Sequence, residues 1–282
     1  MTSTIAEIDH LLTYVADPAA AAALFARMGF TLSPVSRIEA MGITNYLVLM
    51  TPGHDGSANF VELMGSHDRL SLPPPMVRTL SGDQGIKSIV LHAPSAAAAH
   101  GALTGLGFNP VPPMHVRREW VIGPGQSVFP EFDVILPVEA PLVFNACQYH
   151  NVDLYLRPEW LAHENGAIRM SCVFAAAADP AEVAAPLARL FDCPVREEGG
   201  ALLVTPGTVD LAIMTPDVAA SRFGIPAPTA TRYLGYAVDV ADLGQLGACL
   251  RRGNVEYRAT GEGALVSPET GLGNVILFRE RA

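Results

Sequence analysis

Hydrophobic and polar positions follow each other in a recurring order along this chain, and the order predicts one small unit several times. Residues 8–30 and 86–108 each begin with a short apolar run, break at a proline, continue with an alanine-rich segment and end in Gly-Phe. Asp17 and Ser95 are suitable helix N-caps, and the glycine before each phenylalanine suits a helix end. Both segments therefore predict a strand followed by a helix.

Three short strands are predicted after each of these helices. The first helix precedes TLSPVSRI, TNYLVLM and ANFVELMG, and the second precedes HVRREWVI, EFDVILPV and PLVFNACQYH. In these runs apolar positions alternate or cluster between Gly, Pro, Asp and Asn, which is typical of strands separated by turns. Fainter copies of the unit begin at residues 168–191 and 232–253, with linkers at 68–76 and 219–232. The pattern therefore predicts an α+β fold built from four βαβββ modules.

Composition limits the kinds of partner that this chain can have. Half of its 282 residues are hydrophobic and 16% are charged, which is typical of a folded globular protein. The formal net charge of −10 disfavours nucleic acid and anionic membranes as partners. Four cysteines without metal-ligand spacing suggest reduced thiols. With no signal-like or membrane-length apolar segment, we expect a cytoplasmic protein.

The repeated module resembles that of the vicinal oxygen chelate superfamily, which includes glyoxalases, bleomycin-resistance proteins and extradiol dioxygenases. The phrases IDHLLTYVAD, FVELMG and YLRPEWLAHENGA look most like its glyoxalase-like branch. The resemblance implies that modules pair edge to edge and that the four modules form two half-open barrels. On this basis we expect a glyoxalase-like domain with the site over residues 1–155. Residues 156–282 would form a second, degenerate pair of modules with a structural or covering role.

The resemblance also implies where metal ligands would lie, namely on the first and last strands of each module. His10 and Glu62 fall on these positions in the first module, and strand alternation places both on the barrel face. In the second module Ser88 stands at the first position, and a serine is a poor ligand for a borderline divalent metal. By parity Gln148 is nearest in register to Glu62. His150 lies about 6–7 Å further along that strand.

Three arrangements of His10 and Glu62 remain open from the sequence. The pair could be hydrogen-bonded without a metal, since a carboxylate between apolar neighbours needs a partner when buried. The pair could instead bind Fe, Mn, Ni or Zn together with Gln148 or His150, and two histidines with one glutamate suit Fe(II) or Mn. In the third arrangement His10 lies at the surface.

Further polar and aromatic residues are candidates for substrate binding: Tyr14, Asn45, Tyr46, Arg118 and Trp120. Tyr46 could donate a hydrogen bond to a bound oxygen. Arg118 and Trp120 share a parity on one predicted strand, and a guanidinium beside an indole could clamp a planar or carboxylate-bearing ligand. A tyrosine at the edge of the core and a salt-bridged arginine on an exposed strand are equally consistent with the pattern.

Two functional hypotheses follow. The first is an enzyme that acts on a small oxygenated metabolite as an isomerase, lyase or dioxygenase. A metal would polarise a carbonyl, and Glu62, or Gln148 through a water, would move the proton. The alternative is a metal-free protein that sequesters an apolar or aromatic compound, as resistance-type members of the superfamily do. Both imply a small-molecule partner, no nucleic-acid or membrane partner, and a monomer or homodimer.

Overall fold

The first βαβββ module opens the part of the chain that the structure, a computed structural model, describes, which is residue 5 and residues 7–281. Asp17 caps the first helix by accepting hydrogen bonds from the amides of Ala19 and Ala20, as the sequence predicts. Gly29 follows the helix with a φ of +87°, a conformation that favours glycine. The elements are β1 (Glu7–Tyr14), α1 (Pro18–Arg27), β2 (Ser36–Ile38), β3 (Ile43–Leu49) and β4 (Phe60–Ser66).

A linking helix, α2 (Pro74–Thr79), leads into the second module. Ser95 caps its helix by accepting from the amide of Ala98. The predicted strand through Arg118 and Trp120 is in fact two strands, since the chain leaves the sheet after Arg117 and forms a separate hairpin. The elements are β5 (Gly85–His92), α3 (Ala96–Gly105), β6 (Met114–Arg117), the hairpin strands β7 (Trp120–Gly123) and β8 (Gln126–Val128), β9 (Glu131–Val138) and β10 (Phe144–Tyr149).

The two fainter copies of the module are also present, so the chain has the four modules that the sequence predicts. After α4 (Pro158–Leu161), the third comprises β11 (Ala167–Ala176), α5 (Pro180–Phe191), β12 (Val195–Glu198), β13 (Ala201–Val204) and β14 (Asp210–Met214). After α6 (Pro216–Phe223), the fourth comprises β15 (Arg232–Val240), α7 (Leu243–Arg252), β16 (Arg258–Thr260), β17 (Gly263–Val266) and β18 (Val275–Glu280). None of the helices in the described ranges is both long and apolar enough to cross a lipid bilayer.

Modules pair with their neighbours in the chain, and each pair forms one curled eight-stranded sheet. The strand order is β2-β3-β4-β1-β5-β10-β9-β6 in the first sheet and β12-β13-β14-β11-β15-β18-β17-β16 in the second. The first strand of each module lies parallel to the last strand of the same module and antiparallel to the first strand of its partner module. The pairing places β1, β4, β5 and β10 together at the centre of the first sheet.

The two sheets share one hydrophobic core. Leu11 of β1 and Val173 of β11 belong to the same buried cluster, which also includes apolar side chains of α1, α3, α5 and α7. Their neighbours Leu12 and Phe174 point to the opposite faces of the two sheets and belong to separate clusters. Each sheet therefore has one face in the common core and a second face turned away from it.

On the second sheet this outer face is covered by the chain itself. Phe223 of α6 packs against Phe174, with ring centroids 4.9 Å apart, and against apolar strand residues such as Ala212 and Leu277. The sequence predicts residues 219–232 as a linker, but α6 extends to Phe223 and covers part of this face. The first sheet carries the shorter helix α2 on this face, where Met76 joins the buried cluster around Leu12, and a hollow remains beside it.

Candidate functional site

The hollow lies on the face of the first sheet that is turned away from the shared core. It encloses about 680 Å³ of space outside the protein atoms, part of it open to solvent. Most of its wall is apolar and includes Leu12, Ile43, Phe60, Met64, Val90 and Phe132. The polar groups in the wall are His10, Asn45, Glu62, Arg118, Asn145, Tyr149 and Tyr155. An apolar cavity with a few convergent polar groups is typical of a small-molecule site.

A β-bulge in β1 brings Asp9 and His10 together. Ile8 pairs with Leu91 while His10 pairs with Val90, so Asp9 is an extra residue in β1. A bulge re-aims the side chains beside it, and Oδ1 of Asp9 lies 2.7 Å from Nδ1 of His10. Strand alternation predicts these two side chains on opposite faces, and the bulge is the reason that this prediction is wrong.

The carboxylate of Asp9 fixes the orientation of His10. It is fully buried and also accepts hydrogen bonds from the Tyr149 hydroxyl, at 2.7 Å, and from the Ala58 amide, at 2.8 Å. The imidazole also stacks on Phe60 with ring centroids 4.0 Å apart. When Nδ1–H of neutral His10 donates to Asp9, the lone pair of Nε2 is left for the hollow. His10 is therefore held in place with its free nitrogen available to a ligand.

Glu62 faces this free nitrogen. Oε2 of Glu62 lies 3.9 Å from Nε2 of His10, which is too far for a direct hydrogen bond and leaves room for a shared partner. Oε1 accepts a hydrogen bond from Nδ2 of Asn45. Burial raises the pKa of Glu62 above its ordinary value, although His10, the Asn45 hydrogen bond and Arg118 act in the opposite direction. The carboxyl group therefore holds a proton more readily than an exposed glutamate does.

Arg118 brings an incompletely paired guanidinium to the same hollow. The side chain is buried, and Nη2 is 3.5 Å from the Tyr155 hydroxyl. The buried Nε and Nη1 have no hydrogen-bond partner among the described residues. The guanidinium lies 5.1 Å from the ring centre of Trp120. Since unpaired buried N–H groups are costly, a carboxylate or carbonyl oxygen of a ligand would be stabilised here.

The second module contributes Asn145, where parity predicts Gln148. Asn145 lines the hollow, and its Oδ1 accepts a hydrogen bond from the Ser88 hydroxyl. Gln148 instead accepts from the amide of Ala96 at the start of α3, on the other face of the sheet. The prediction that Gln148 lies opposite Glu62 is therefore wrong. A one-residue slip in register reverses the face of every side chain on a strand, and this accounts for the error.

Four other predicted residues lie outside the lining of the hollow. Nε2 of His150 is 3.0 Å from a carboxylate oxygen of Asp133, so His150 does not join His10 and Glu62 as the sequence predicts. Tyr46 packs against the shared core, and Tyr14 packs at the edge of the apolar cluster around Leu12. Trp120 lies behind Arg118 and donates from Nε1 to the carbonyl of Pro34. His10, Asn45, Glu62 and Arg118 are the predicted residues that the hollow brings together.

Other polar groups of the site were not predicted from the sequence: Asp9, Asn145, Tyr149 and Tyr155. Asp9 carried one usable signal, because a carboxylate between apolar residues and next to His10 needs a buried partner. Tyr155 lies beyond the last strand of the second module, so strand alternation says nothing about where it points. Burial raises the pKa of the Tyr149 hydroxyl well above its ordinary value and also raises that of Tyr155. Both hydroxyls therefore stay protonated and can donate hydrogen bonds at neutral pH.

The donor groups of the hollow do not fit a three-ligand metal centre. His10 and Glu62 supply two ligands, but Ser88 and Asn145 stand in the second module and are hydrogen-bonded to each other. Across the described residues, one group of three His, Cys, Asp or Glu side chains has its ligand atoms within 4.8 Å of one another, and it lies outside the hollow. The hollow thus lacks the set of ligands that the resemblance implies.

Comparison with protein families agrees with the architecture. Residues 8–191 match the glyoxalase-like domain, which is more than half of the chain. The chain belongs to the glyoxalase-like domain family. The matched range includes all the residues that line the hollow of this glyoxalase-like protein. A comparison with curated proteins finds no match.

Solved structures show the same fold at low sequence identity. A hypothetical protein from Staphylococcus aureus is 12% identical with a TM-score of 0.69, and the match covers 97% of this chain and 98% of that one. A triple variant of 4-hydroxymandelate synthase from Streptomyces coelicolor is 14% identical with a TM-score of 0.59, over 99% and 93% of the two chains. A xylose isomerase-like TIM barrel/4-hydroxyphenylpyruvate dioxygenase fusion protein is 13% identical with a TM-score of 0.55, and 49% of its length is covered. These likenesses establish the fold of the glyoxalase-like protein and not its reaction.

Proposed function

We propose that this glyoxalase-like protein is an enzyme that moves a proton on a small oxygenated substrate, with Glu62 and His10 as the acid–base pair and Arg118 as the anchor. The observation that carries the proposal is the position of Glu62. Its buried carboxyl group, with a raised pKa, faces the free nitrogen of His10 across 3.9 Å in a hollow that also contains an unpaired guanidinium. Raised carboxyl pKa values suit general acid–base work near neutral pH.

Each group in the hollow has a distinct part in such a reaction. The apolar wall takes the carbon skeleton, and Arg118 takes a carboxylate or carbonyl oxygen of the substrate. Glu62, oriented by Asn45, removes a proton from the carbon next to the carbonyl, and the charge that develops on oxygen is stabilised by the guanidinium. The free Nε2 of His10, held in place by Asp9, then takes this proton from Glu62 and returns it to a neighbouring atom of the substrate. This sequence of steps corresponds to an isomerase or lyase reaction.

The metal-dependent form of the hypothesis, including a dioxygenase reaction, requires ligands that the hollow does not supply. Two good ligands, His10 and Glu62, are present, and the groups at the other two positions are hydrogen-bonded to each other. The proposed proton transfer therefore uses the side chains of the hollow alone.

A second candidate function is metal-free binding and sequestration of a small molecule. The mostly apolar wall of the hollow favours it, because such a surface binds aromatic or aliphatic compounds without any chemical step. The two functions differ in one observable, the exchange of a substrate proton with solvent. A sequestering protein binds its ligand and leaves it unchanged.

Proton exchange in deuterated water tests the proposal. Small 2-oxo and 2-hydroxy carboxylates that shift the thermal unfolding temperature are first selected, and loss of their α-proton signal is then followed by NMR. We expect exchange with the natural protein, a reduction of about 10²–10⁴-fold in Glu62→Gln, and weaker binding in Arg118→Met. Glu197→Gln, at an exposed glutamate of β12, is the matched control. Exchange that persists in Glu62→Gln would contradict the proposal, and binding without exchange would favour sequestration.

A further inference from the structure

We propose that His115, Asp133 and His150 form a binding site for one divalent transition-metal ion, separate from the hollow. The site would lie on the opposite face of the same sheet. Phe132 and Val134, on either side of Asp133 in β9, line the hollow, so Asp133 points away from it. This inference concerns a second site and does not depend on the function proposed for the hollow.

Three neighbouring strand segments bring the ligands together. His115 of β6 is the direct cross-strand partner of Asp133 in β9. His150 follows β10 immediately, and its amide donates to the carbonyl of Glu131, which sets the position of the ring beside β9. Nδ1 of His115 is 2.8 Å from Oδ1 of Asp133, and Nε2 of His150 is 3.0 Å from Oδ2. Each histidine thus faces one oxygen of the same carboxylate.

These distances are close to those required around a metal ion. The ligand atoms of all three residues lie within 4.8 Å of one another, and the two imidazole centres are 5.7 Å apart. Zinc bonds of about 2.0–2.2 Å to nitrogen and oxygen place tetrahedral ligands roughly 3.4 Å from each other. The three side chains are partly exposed, which leaves room for the rotations that would bring all three ligands onto one ion.

Charge and the surroundings of His115 favour a cation as the occupant. Oε1 of Glu131 lies 3.5 Å from Nε2 of His115, the ring nitrogen that does not face Asp133. A carboxylate on the second nitrogen of a ligating histidine orients the ring and increases its basicity. Asp133 and Glu131 thus place two carboxylates beside the imidazole of His115, one at each ring nitrogen.

The donor set indicates which ions would bind. Two imidazoles and one carboxylate suit zinc, nickel, copper or cobalt, with the remaining positions taken by water. A magnesium or calcium ion would instead need more oxygen ligands than these residues supply. Because β6 is the edge strand of the sheet, a bound ion would link that edge to β9 and β10. We therefore expect the ion to stabilise the fold at this edge.

Zinc titration of the full chain tests the site. The protein is stripped with a chelator, and binding of zinc chloride alone is followed by isothermal titration calorimetry and by thermal unfolding. We expect one equivalent to bind and to raise the unfolding temperature. Asp133→Asn and His150→Ala should each weaken binding at least tenfold, and His115→Ala provides a further variant if one of these fails to fold.

Substitutions in the hollow separate the two sites. His10→Ala and Glu62→Gln should bind zinc with unchanged affinity, and His100→Ala, at a histidine of α3, controls for removal of a histidine elsewhere. The proposal is overturned if the natural protein shows no saturable binding, or if Asp133→Asn and His150→Ala bind as tightly as the natural protein. Loss of the one-equivalent binding in His10→Ala with retention in His150→Ala would move the ion to the hollow and overturn it as well.

Discussion

At the scale of single residues, the ionisation of Glu62 is set by its surroundings. Burial favours the neutral acid, while His10, the Asn45 amide and Arg118 favour the carboxylate, and the net effect is a raised pKa. The unfolded chain provides no such environment, so the folded state binds the proton more tightly than the unfolded state does. Folding stability is therefore linked to pH through this one group.

Glu62→Gln is expected to change the pH dependence of folding. In the natural protein the free energy of unfolding falls as pH rises from the ordinary value of 4.5 to the raised pKa of Glu62. Each tenfold difference in proton affinity between the folded and unfolded chains corresponds to about 1.4 kcal/mol. Glutamine does not titrate, and it keeps an oxygen that accepts from Asn45. The variant should therefore gain stability relative to the natural protein as pH rises from 4.5 towards neutrality, and denaturant unfolding at a series of pH values measures the difference.

Glu197→Gln provides the reference for this series, because Glu197 lies exposed on β12 and far from the hollow. Its stability should follow that of the natural protein at every pH. If the free energies of unfolding of Glu62→Gln and the natural protein differ by the same amount at every pH, the pKa of Glu62 is the same in the folded and unfolded chains. That result would contradict the prediction.

At the scale of elements, the same module has a different outer face in the two sheets. In the first sheet that face carries the polar groups of the hollow, and in the second an apolar cluster that includes Phe223 of α6 covers part of it. Phe223 occupies the middle of the packed cluster, in contact with Phe174. The second sheet therefore depends on α6 for a complete core.

Phe223→Ala is expected to destabilise the protein by about 3–5 kcal/mol, because it removes a buried aromatic side chain and leaves a cavity. Thermal or denaturant unfolding measures the loss. Phe129→Ala is the matched control, since Phe129 is 41% exposed and its removal opens no buried cavity. Equal effects of the two substitutions would mean that α6 does not pack on the second sheet.

At the scale of the whole molecule, the two sheets are joined by apolar and polar contacts. The common core contains residues of both sheets. Asn59, which precedes β4, donates from Nδ2 to the carbonyl of Met170 and accepts from the amide of the same residue, at 2.9 and 2.8 Å. Asn165 is fully buried and donates to the carbonyl of Met28, which ties the connection between the sheets to the end of α1.

We expect the chain to unfold in one cooperative transition, because neither sheet keeps a complete core without the other. Asn59→Ala leaves two buried backbone groups of Met170 without partners, at about 1–3 kcal/mol each, and should move the whole transition to lower temperature. Calorimetry measures this, with Asn109→Ala at an exposed asparagine as the control. Two separate transitions, with only one affected by Asn59→Ala, would show that residues 1–155 and 156–282 fold independently.

Much of the fold could be predicted from the sequence because its signals are local. Alternation with a period of two marks the strands, while Asp17 and Ser95 mark helix starts within a few residues. The same alternation indicates His10 and Glu62 as partners, and both line the hollow. Alternation placed two kinds of site residue on the wrong face. Asp9 lies in the β-bulge of β1, and Asn145 and Gln148 lie on β10, where the predicted register is wrong by one residue.

The sequence by itself determined four βαβββ modules and four of the polar groups in the hollow, His10, Asn45, Glu62 and Arg118. Capping residues and strand alternation act over a few neighbouring positions, so these signals are local. The tertiary structure alone decided that Asp9 joins His10, that Asn145 takes the place predicted for Gln148, and that His150 meets Asp133 instead of Glu62. The physical reason is that bulges and register arise from pairing between strands far apart in the chain. One extra residue in β1 changes which side chains meet, and no local pattern records it.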